Sequence, residues 1–214
     1  MARTLSVDHE APALSVLGEA AACIRQGGVL VYPTETLYGI GADALNAAAI
    51  GRVVAAKRRQ DDKPILVIVN GVEMLSGLVA SVPKTAEVLM EEFWPGPLTI
   101  VFDVAPRVPA ALTRGTGTIG VRVPSSTFCL ELLKLCNCPL TSTSANVSGE
   151  AIKNTVSEIR AELGDAVDLY IDAGVLSAGK PSTVISVANQ NIQFLREGVI
   201  SFERIQEILY QVEK

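Results

Sequence analysis

Histidine is nearly absent from this sequence, because His9 is the single one among 214 residues. A histidine-dependent catalytic triad and a histidine-rich metal site are therefore excluded. Three familiar motifs are also missing, namely the Walker A sequence, Gly-x-Gly-x-x-Gly and the Gly-x-Ser-x-Gly nucleophile elbow. Any chemistry must depend on Lys, Arg, Ser, Thr and Asn side chains and on bound metal.

Long apolar runs are missing as well. The apolar run at residues 65–69 is far too short to cross a bilayer, which takes about 20 residues. The first residues contain no apolar signal core and no small-residue cleavage site. We therefore expect a cytoplasmic protein with no membrane partner.

Cysteine is sparse, with Cys23, Cys129, Cys136 and Cys138. Cys136 and Cys138 are closer together than the usual zinc-ribbon spacing, and no second cysteine pair accompanies them. The sequence therefore predicts reduced, buried thiols and no protein-bound metal site.

Positive charge is not in excess, since the formal net charge is −5 and the isoelectric point is about 5.0. Non-specific binding to duplex nucleic acid grows with the number of phosphates neutralised, so such a function is disfavoured. A local basic pocket for a small anion remains compatible with this balance.

Strand and helix patterns alternate along the whole chain, without a linker, a low-complexity stretch or an internal repeat. Helical spacing predicts helices over residues 12–26, 47–57, 72–79, 83–92, 127–135, 155–163 and 202–212. Short apolar runs predict strands over residues 29–32, 65–69, 98–104, 118–123, 140–144, 167–171, 183–187 and 192–195. The prediction is an α/β (α+β) protein, a three-layer domain in which helices pack on one twisted, mixed sheet.

Two stretches place hydroxyl groups directly after a predicted strand, where open α/β sheets bind their ligands. Residues 33–41 contain two threonines, one glutamate and two glycines, and a ligand-binding loop and a self-capped turn are equally plausible there. Six of the nine side chains of residues 141–149 carry a hydroxyl or an amide. Because buried polar groups need partners, we favour a binding role for this second stretch.

Basic residues form a cluster at Lys57, Arg58 and Arg59, at the end of a predicted helix. Such a cluster often only compensates the helix dipole, but before a buried strand it also suits an anion site. Arg122 and Arg196 stand at the ends of apolar strands, where an arginine is costly unless it is paired. Each arginine is compatible with a structural ion pair. If several of them line one cleft, they are instead typical of a phosphate- or carboxylate-binding site.

Five motifs occur together in one order: residues 33–41, Lys57-x-Arg59 before Lys63-Pro64, residues 94–99, residues 120–124 and residues 142–149. In combination they resemble the Sua5/YciO/YrdC family of threonylcarbamoyl-AMP synthases. The resemblance covers roughly residues 14–200, and it is greatest to the short, single-domain members. It divides the chain into an N-terminal segment (1–13), a YrdC-like domain (14–200) and a C-terminal helix packed on the same domain (201–214).

The resemblance implies a YrdC/RibB-like fold with an open central cavity and a defined reaction. L-Threonine, bicarbonate and ATP with Mg²⁺ give L-threonylcarbamoyladenylate and pyrophosphate, for the threonylcarbamoyl modification of adenosine 37 in tRNA. The expected partners are these substrates and the downstream tRNA-modifying machinery, and tRNA itself at most weakly.

The resemblance also implies the site residues. Its catalytic set is Lys57, Arg59, Ser144 and Asn146. Its ATP-binding set is Lys57, Arg59, Thr118, Ser144, Asn146 and Arg196. Its threonine-binding set is Thr34, Arg122, Ser142 and Ser182, in which Arg122 clamps the carboxylate.

Two positions depart from the family pattern. Ile68 stands where longer members often carry a histidine, which puts one threonine contact in doubt, and Gln60 replaces a proline after the basic motif. The alternative function is a non-catalytic RNA-binding or ribosome-maturation factor of the YciO type. Against it, aromatic residues make up only 5% of the chain, whereas single-stranded RNA binders usually offer aromatic stacking platforms.

Overall fold

The computed structural model describes residues 2–59, 64–176 and 180–212. Gln60 and Lys63, which the sequence analysis named, lie outside these ranges. Within them the alternation of helices and strands predicted from the sequence is confirmed.

Eight helices form in the described residues. They are Leu14–Arg25 (α1), Ala47–Ala56 (α2), Val72–Ser76 (α3), Lys84–Phe93 (α4), Ala110–Thr113 (α5), Thr127–Cys136 (α6), Val156–Leu163 (α7) and Phe202–Val212 (α8). Side-chain caps lie at the starts of α2, α6 and α7, whereas α1, α3, α4 and α5 begin without one. The Asn46 side chain accepts hydrogen bonds from the backbone N–H groups of Ala48 and Ala49, at 3.1 and 3.2 Å, at the start of α2.

Eleven strands form in the same residues. They are Arg3–Ser6 (β1), Leu30–Pro33 (β2), Tyr38–Gly41 (β3), Val67–Ile68 (β4), Leu98–Asp103 (β5), Thr118–Arg122 (β6), Leu140–Thr141 (β7), Thr143–Ser144 (β8), Leu169–Asp172 (β9), Thr183–Ser186 (β10) and Gln193–Arg196 (β11). β1 lies within the stretch that we assigned to an N-terminal segment, and β3 lies within residues 33–41, where we expected a ligand-binding loop or a self-capped turn.

These strands make two mixed sheets, where the sequence predicted one. The five-stranded sheet has the order β1-β9-β2-β3-β8, and the six-stranded sheet has the order β11-β10-β5-β6-β4-β7. β1 pairs in parallel with β9, and β5 pairs in parallel with β10 and antiparallel with β6. The stretch 140–144, predicted as one strand, is divided between the sheets: β7 pairs with β4, and β8 pairs with β3.

Three clusters of buried apolar side chains hold the layers together. One lies on the six-stranded sheet under α4 and α8, and another lies on the five-stranded sheet under α7. The third joins both sheets through α1 and α6, with Leu17, Tyr32, Ile68, Phe128 and Leu169 as members. Because this third cluster contacts β2 of one sheet and β4 of the other, it fixes the distance between the sheets.

Candidate functional site

A polar cleft lies where the two sheets meet. Its walls come from β3 and β8 of the five-stranded sheet and from β4, β5, β6 and β11 of the six-stranded sheet. The chain passes from one sheet to the other at Ser142, between β7 and β8. Four of the predicted threonine-site residues line this cleft, which are Thr34, Arg122, Ser142 and Ser182.

Backbone hydrogen bonds hold the crossing at Ser142. The Ser142 N–H donates to the carbonyl oxygen of Leu66 at 2.7 Å. One residue earlier, the buried Thr141 hydroxyl accepts from the Ala42 N–H at 3.0 Å, and the Tyr32 hydroxyl donates to the Thr141 carbonyl at 3.0 Å. Each bond ties the crossing to a different element, so the Ser142 side chain is positioned by long-range contacts.

Gly41 permits this close approach. A Cβ at this position would lie 2.4 Å from a ring carbon of Tyr32 and 3.4 Å from the Thr141 carbonyl oxygen. In a ligand-binding loop, a glycine lets the backbone approach the ligand closely. At Gly41 the close neighbour is instead the protein itself, because β3 packs directly against Tyr32.

Arg122 is the cation at the centre of the cleft. Its guanidinium forms an ion pair with the carboxylate of Glu35, and the two side chains are 7% and 18% exposed. Among the described residues Glu35 is its one hydrogen-bond partner, so several of its five N–H donors remain for a ligand. Glu35 was not among our predicted site residues, although a lone carboxylate between two threonines was a usable signal.

Arg196 provides a second cation at the same cleft. Its guanidinium donates to the Ser182 carbonyl oxygen at 3.2 and 2.9 Å, and Ser182 in turn shares a hydrogen bond of 2.9 Å with the Thr99 hydroxyl. Burial, and then the positive charge of Arg122, lower the pKa of Arg196 below its usual value. Two like charges are thus held near one cavity, an arrangement that an anion would stabilise.

Thr34 also faces the cleft, but its hydroxyl organises the turn between β2 and β3. It accepts from the N–H groups of Thr36 and Leu37, both at 3.1 Å, and donates to the Leu37 carbonyl at 2.7 Å. This is the self-capped turn that the sequence analysis kept as an alternative. Thr36 lines the cleft beside it and was missed as a candidate, as was Thr99.

Lys57 belongs to the basic cluster for which the sequence left helix-dipole compensation and an anion site as alternatives. It is only 3% exposed, and its ammonium donates to the backbone carbonyl oxygens of Ser144 and Asn146, the latter at 2.8 Å. The buried ammonium therefore fastens the loop after β8 to the end of α2. The physical reason is desolvation, because a buried ammonium must find acceptors, and this loop supplies them.

Ser144 and Asn146 stand on the loop that Lys57 holds. The Ser144 side chain lines the cleft. The Asn146 amide nitrogen donates to the carbonyls of Val147 and Glu150, at 2.9 and 2.8 Å, while its buried Oδ1 has no hydrogen-bond partner in the described part of the protein. An unpaired buried acceptor is costly, and Asn146 itself is not among the residues that line the cleft.

Four of the six predicted ATP residues are not among the residues that line the cleft, namely Lys57, Arg59, Thr118 and Asn146. The half-buried Arg59 approaches the Pro64 carbonyl oxygen at 3.5 Å. Thr118 pairs with Asp103 at the opposite end of β6 from Arg122, and its hydroxyl contacts that of Thr116 at 3.1 Å. Ile68, which replaces the family histidine, does line the cleft, and it pairs with Arg122 across β4 and β6.

The described residues contain no cluster of three or more His, Cys, Asp or Glu side chains that could hold a metal ion. The longest described helix, α1, has 12 residues, and none of the described helices is both long and apolar enough to cross a bilayer. Burial raises the pKa of the Cys129 thiol to about 12, so this cysteine is an inert member of the core.

Comparison with known proteins gives consistent matches over most of the chain. The family model Sua5_yciO_yrdC, described as telomere recombination, matches residues 22–198. A threonylcarbamoyl-AMP synthase of Pyrococcus abyssi is 35% identical over 193 residues, which are 90% of this chain and 57% of that protein. A putative threonylcarbamoyl-AMP synthase of Mycobacterium tuberculosis is 37% identical over 190 residues, which are 89% of this chain and 87% of that protein.

Among solved structures, P. abyssi Sua5 complexed with L-threonine superposes with a TM-score of 0.91 at 33% identity. The match covers 96% of this chain and 60% of the Sua5 chain. The described fold is therefore the fold of the shared part of that protein.

Proposed function

Because the chain belongs to the Sua5_yciO_yrdC family, we propose that it is an L-threonylcarbamoyladenylate synthase, a nucleotidyltransferase that uses L-threonine, bicarbonate and ATP. Relatives that carry this name come from archaea, bacteria and yeast. The adenylate it forms would serve the threonylcarbamoyl modification of adenosine 37 in tRNA, through a separate transfer machinery.

The convergence of Arg122 and Arg196 on one hydroxyl-lined cleft is the observation that carries this proposal. Both substrates are anionic at the reacting ends, since one brings a carboxylate and the other a triphosphate. A pair of guanidinium groups in a partly desolvated cleft is suited to hold such groups together. The L-threonine in the related P. abyssi structure is the amino acid that this proposal requires.

The chemistry asks more for positioning than for a side-chain nucleophile. The threonine amine gains a carboxyl group from bicarbonate, with loss of water, and becomes a carbamate. One carbamate oxygen then attacks the α-phosphate of ATP, and the bond to pyrophosphate breaks. The protein has to align the two anions and neutralise the charge that develops, which are the roles of pre-oriented donors.

On the threonine side, we propose that Arg122 binds the carboxylate, and that Ser142, Ser182 and Thr34 shape the remainder of the pocket. Arg122 suits this role because it has unused N–H donors in a planar fork. Ser182 connects this side to the nucleotide side through its contact with Arg196.

On the nucleotide side, we propose Arg196, Ser144 and Asn146 as direct ligands. The buried Asn146 Oδ1 lacks a donor among the described residues, and a nucleotide can supply one. Lys57 serves the nucleotide as a positioning residue, because its ammonium holds the carbonyls of Ser144 and Asn146. The assignments of Arg59 and Thr118 to ATP remain predictions from the family resemblance.

ATP enters this reaction as its magnesium complex, so the ion is part of the substrate. The donor set of the cleft fits this view, because arginines and hydroxyl groups dominate it and the Glu35 carboxylate is paired with Arg122. Magnesium commonly keeps its waters and binds through substrate phosphates, without a protein cage.

The test is incubation with Mg-ATP, bicarbonate and L-threonine, followed by mass analysis for the adenylate and an assay for pyrophosphate. We expect pyrophosphate release to require threonine and bicarbonate together. The Arg122→Ala protein, purified identically, controls for contaminating ATPases. Equal ATP turnover without threonine would reduce the protein to a simple ATPase.

The alternative, an RNA-binding factor without catalysis, gives the opposite result in the same experiment. It would bind RNA with a strong salt dependence and would release no pyrophosphate.

A further inference from the structure

The carboxylate of Glu35 is incompletely satisfied. Its Oε1 accepts from Arg122, while its Oε2 is fully buried and has no hydrogen-bond partner among the described residues. A carboxylate oxygen can only accept hydrogen bonds while it is ionised, so what is missing is a donor. Leaving such an oxygen buried and unbonded is costly, which points to a ligand that supplies the donor.

The hydroxyl and thiol protons of four side chains around Glu35 are already committed to other acceptors. The Thr34 hydroxyl donates to the Leu37 carbonyl, so in the 3.0 Å contact between the two threonine hydroxyls Thr36 must be the donor. The Tyr32 hydroxyl donates to the Thr141 carbonyl at 3.0 Å, and the Cys129 thiol donates to the Pro33 carbonyl at 3.4 Å.

An α-amino acid has the complementary pair of charges. Its carboxylate and its ammonium are attached to the same carbon atom, so a protein that binds both needs a cation and an anion side by side. Arg122 and Glu35 are such a pair; Arg122 lines the cleft, as do Thr34 and Thr36, the residues on either side of Glu35. A bound zwitterion places its carboxylate on the cation and its ammonium on the anion.

We propose that Glu35 binds the α-ammonium of the amino acid substrate, so that Arg122 and Glu35 together select zwitterionic α-amino acids. This rests on the proposed function, which supplies threonine as the substrate. It adds a specificity-determining residue that none of the motif assignments included.

The proposal predicts a discrimination that can be measured on the unaltered protein. L-Threonine and 3-hydroxybutyrate share the carboxylate and the hydroxyl, but only threonine has the ammonium. Calorimetric titration should show threonine binding at least about 10-fold more tightly, the usual value of one charge-assisted hydrogen bond. Equal affinities would overturn the proposal without any variant.

The variant Glu35→Gln sharpens the test. Glutamine keeps an acceptor for Arg122 and removes the charge, so threonine affinity should fall roughly 10- to 100-fold while 3-hydroxybutyrate affinity stays within about 2-fold. If Glu35 only orients Arg122, both ligands weaken equally, and the proposal is wrong. Glu19→Gln, which breaks the exposed 2.7 Å pair with Arg3, is the matched control and should change neither affinity.

The same experiments distinguish a failure of the proposed function from a failure of the ammonium site at Glu35. If the unaltered protein neither binds threonine nor releases pyrophosphate, the synthase proposal fails first. If it does both, and Glu35→Gln binds threonine as tightly as before, only the ammonium site is refuted.

Discussion

Lys57 and Arg122 are both almost fully buried cations, yet they play opposite parts. The Lys57 ammonium donates to two backbone carbonyls, whereas Arg122 binds one carboxylate and lines a polar cleft. Burial alone therefore does not identify a ligand-binding cation. The partners of its N–H groups identify it, because a cation whose donors already bind protein acceptors has few donors left for a substrate.

The largest expected effect is on stability, at Lys57. Replacing it in Lys57→Met leaves the carbonyls of Ser144 and Asn146 buried without their donor, so the free energy of unfolding should fall by ~3 kcal/mol. For a chain of this size that lowers the melting temperature by roughly 6–12 °C. Thermal denaturation followed by circular dichroism measures it.

Arg58→Met is the control for that experiment, because Arg58 is an exposed cation at the same helix end. It should melt within about 2 °C of the parent protein, as surface substitutions usually do. An unchanged melting temperature in Lys57→Met, together with a large loss of ATP affinity, would mean that Lys57 binds the phosphates of ATP directly, as the family resemblance implies.

The next effect is on substrate use, at Arg122. Lysine keeps the charge beside Glu35 but lacks the planar fork, so Arg122→Lys should raise the threonine KM by roughly 10- to 100-fold and leave the ATP KM within about 2-fold. Pyrophosphate release at varied threonine and ATP concentrations separates the two constants. A rise confined to the ATP KM would make Arg122 a phosphate ligand.

Replacing Arg196 should have a smaller effect on the ATP KM, and the change in melting temperature shows whether Arg196 also has a structural role. Arg196 is an exposed residue, and partial burial of its guanidinium and the charge of Arg122 lower its pKa. Arg196→Gln should raise the ATP KM by about 5- to 10-fold and change the melting temperature by no more than about 2 °C, because the residue is exposed. A clear drop in melting temperature would place Arg196 with Lys57 as a structural cation.

The smallest expected effect is on stability, at the exposed ion pair between Arg52 and Asp168, whose charged atoms lie 2.7 Å apart. Burial alone would raise the pKa of Asp168, but hydrogen bonds from Arg52 and the Val29 N–H outweigh it and lower that pKa below the usual 3.8. A carboxylate with a depressed folded-state pKa stabilises above its unfolded pKa and loses that contribution as the pH falls through the folded value.

Asp168→Asn should therefore destabilise the protein near pH 7 by less than ~1 kcal/mol, since the pair is about two-fifths exposed. The difference in melting temperature from the parent should shrink as the pH falls below 3.8 and vanish once the pH is below the lowered folded-state pKa of Asp168, where both forms are neutral at this position. A difference that persists at low pH would assign the effect to packing and not to charge.

Much of the local structure follows from the sequence, because it depends on neighbours along the chain. The cap at Asn46 begins α2 where the residue type indicates, and the helical spacing before Gly27 gives α1 within two residues of its predicted ends. The five ordered motifs likewise identify the family, and the comparisons confirm it.

Contacts between residues that are distant along the chain could not be predicted from local sequence patterns. Nothing in residues 140–144 signals that one apolar-to-polar run passes between two sheets at Ser142, nor that β1 finds its parallel partner β9 more than 160 residues away. The sequence determined that Lys57, Arg122, Ser144 and Glu35 are present. Only the tertiary structure decided which acceptors and donors each one faces, because a buried charge takes its role from the groups that folding brings to it.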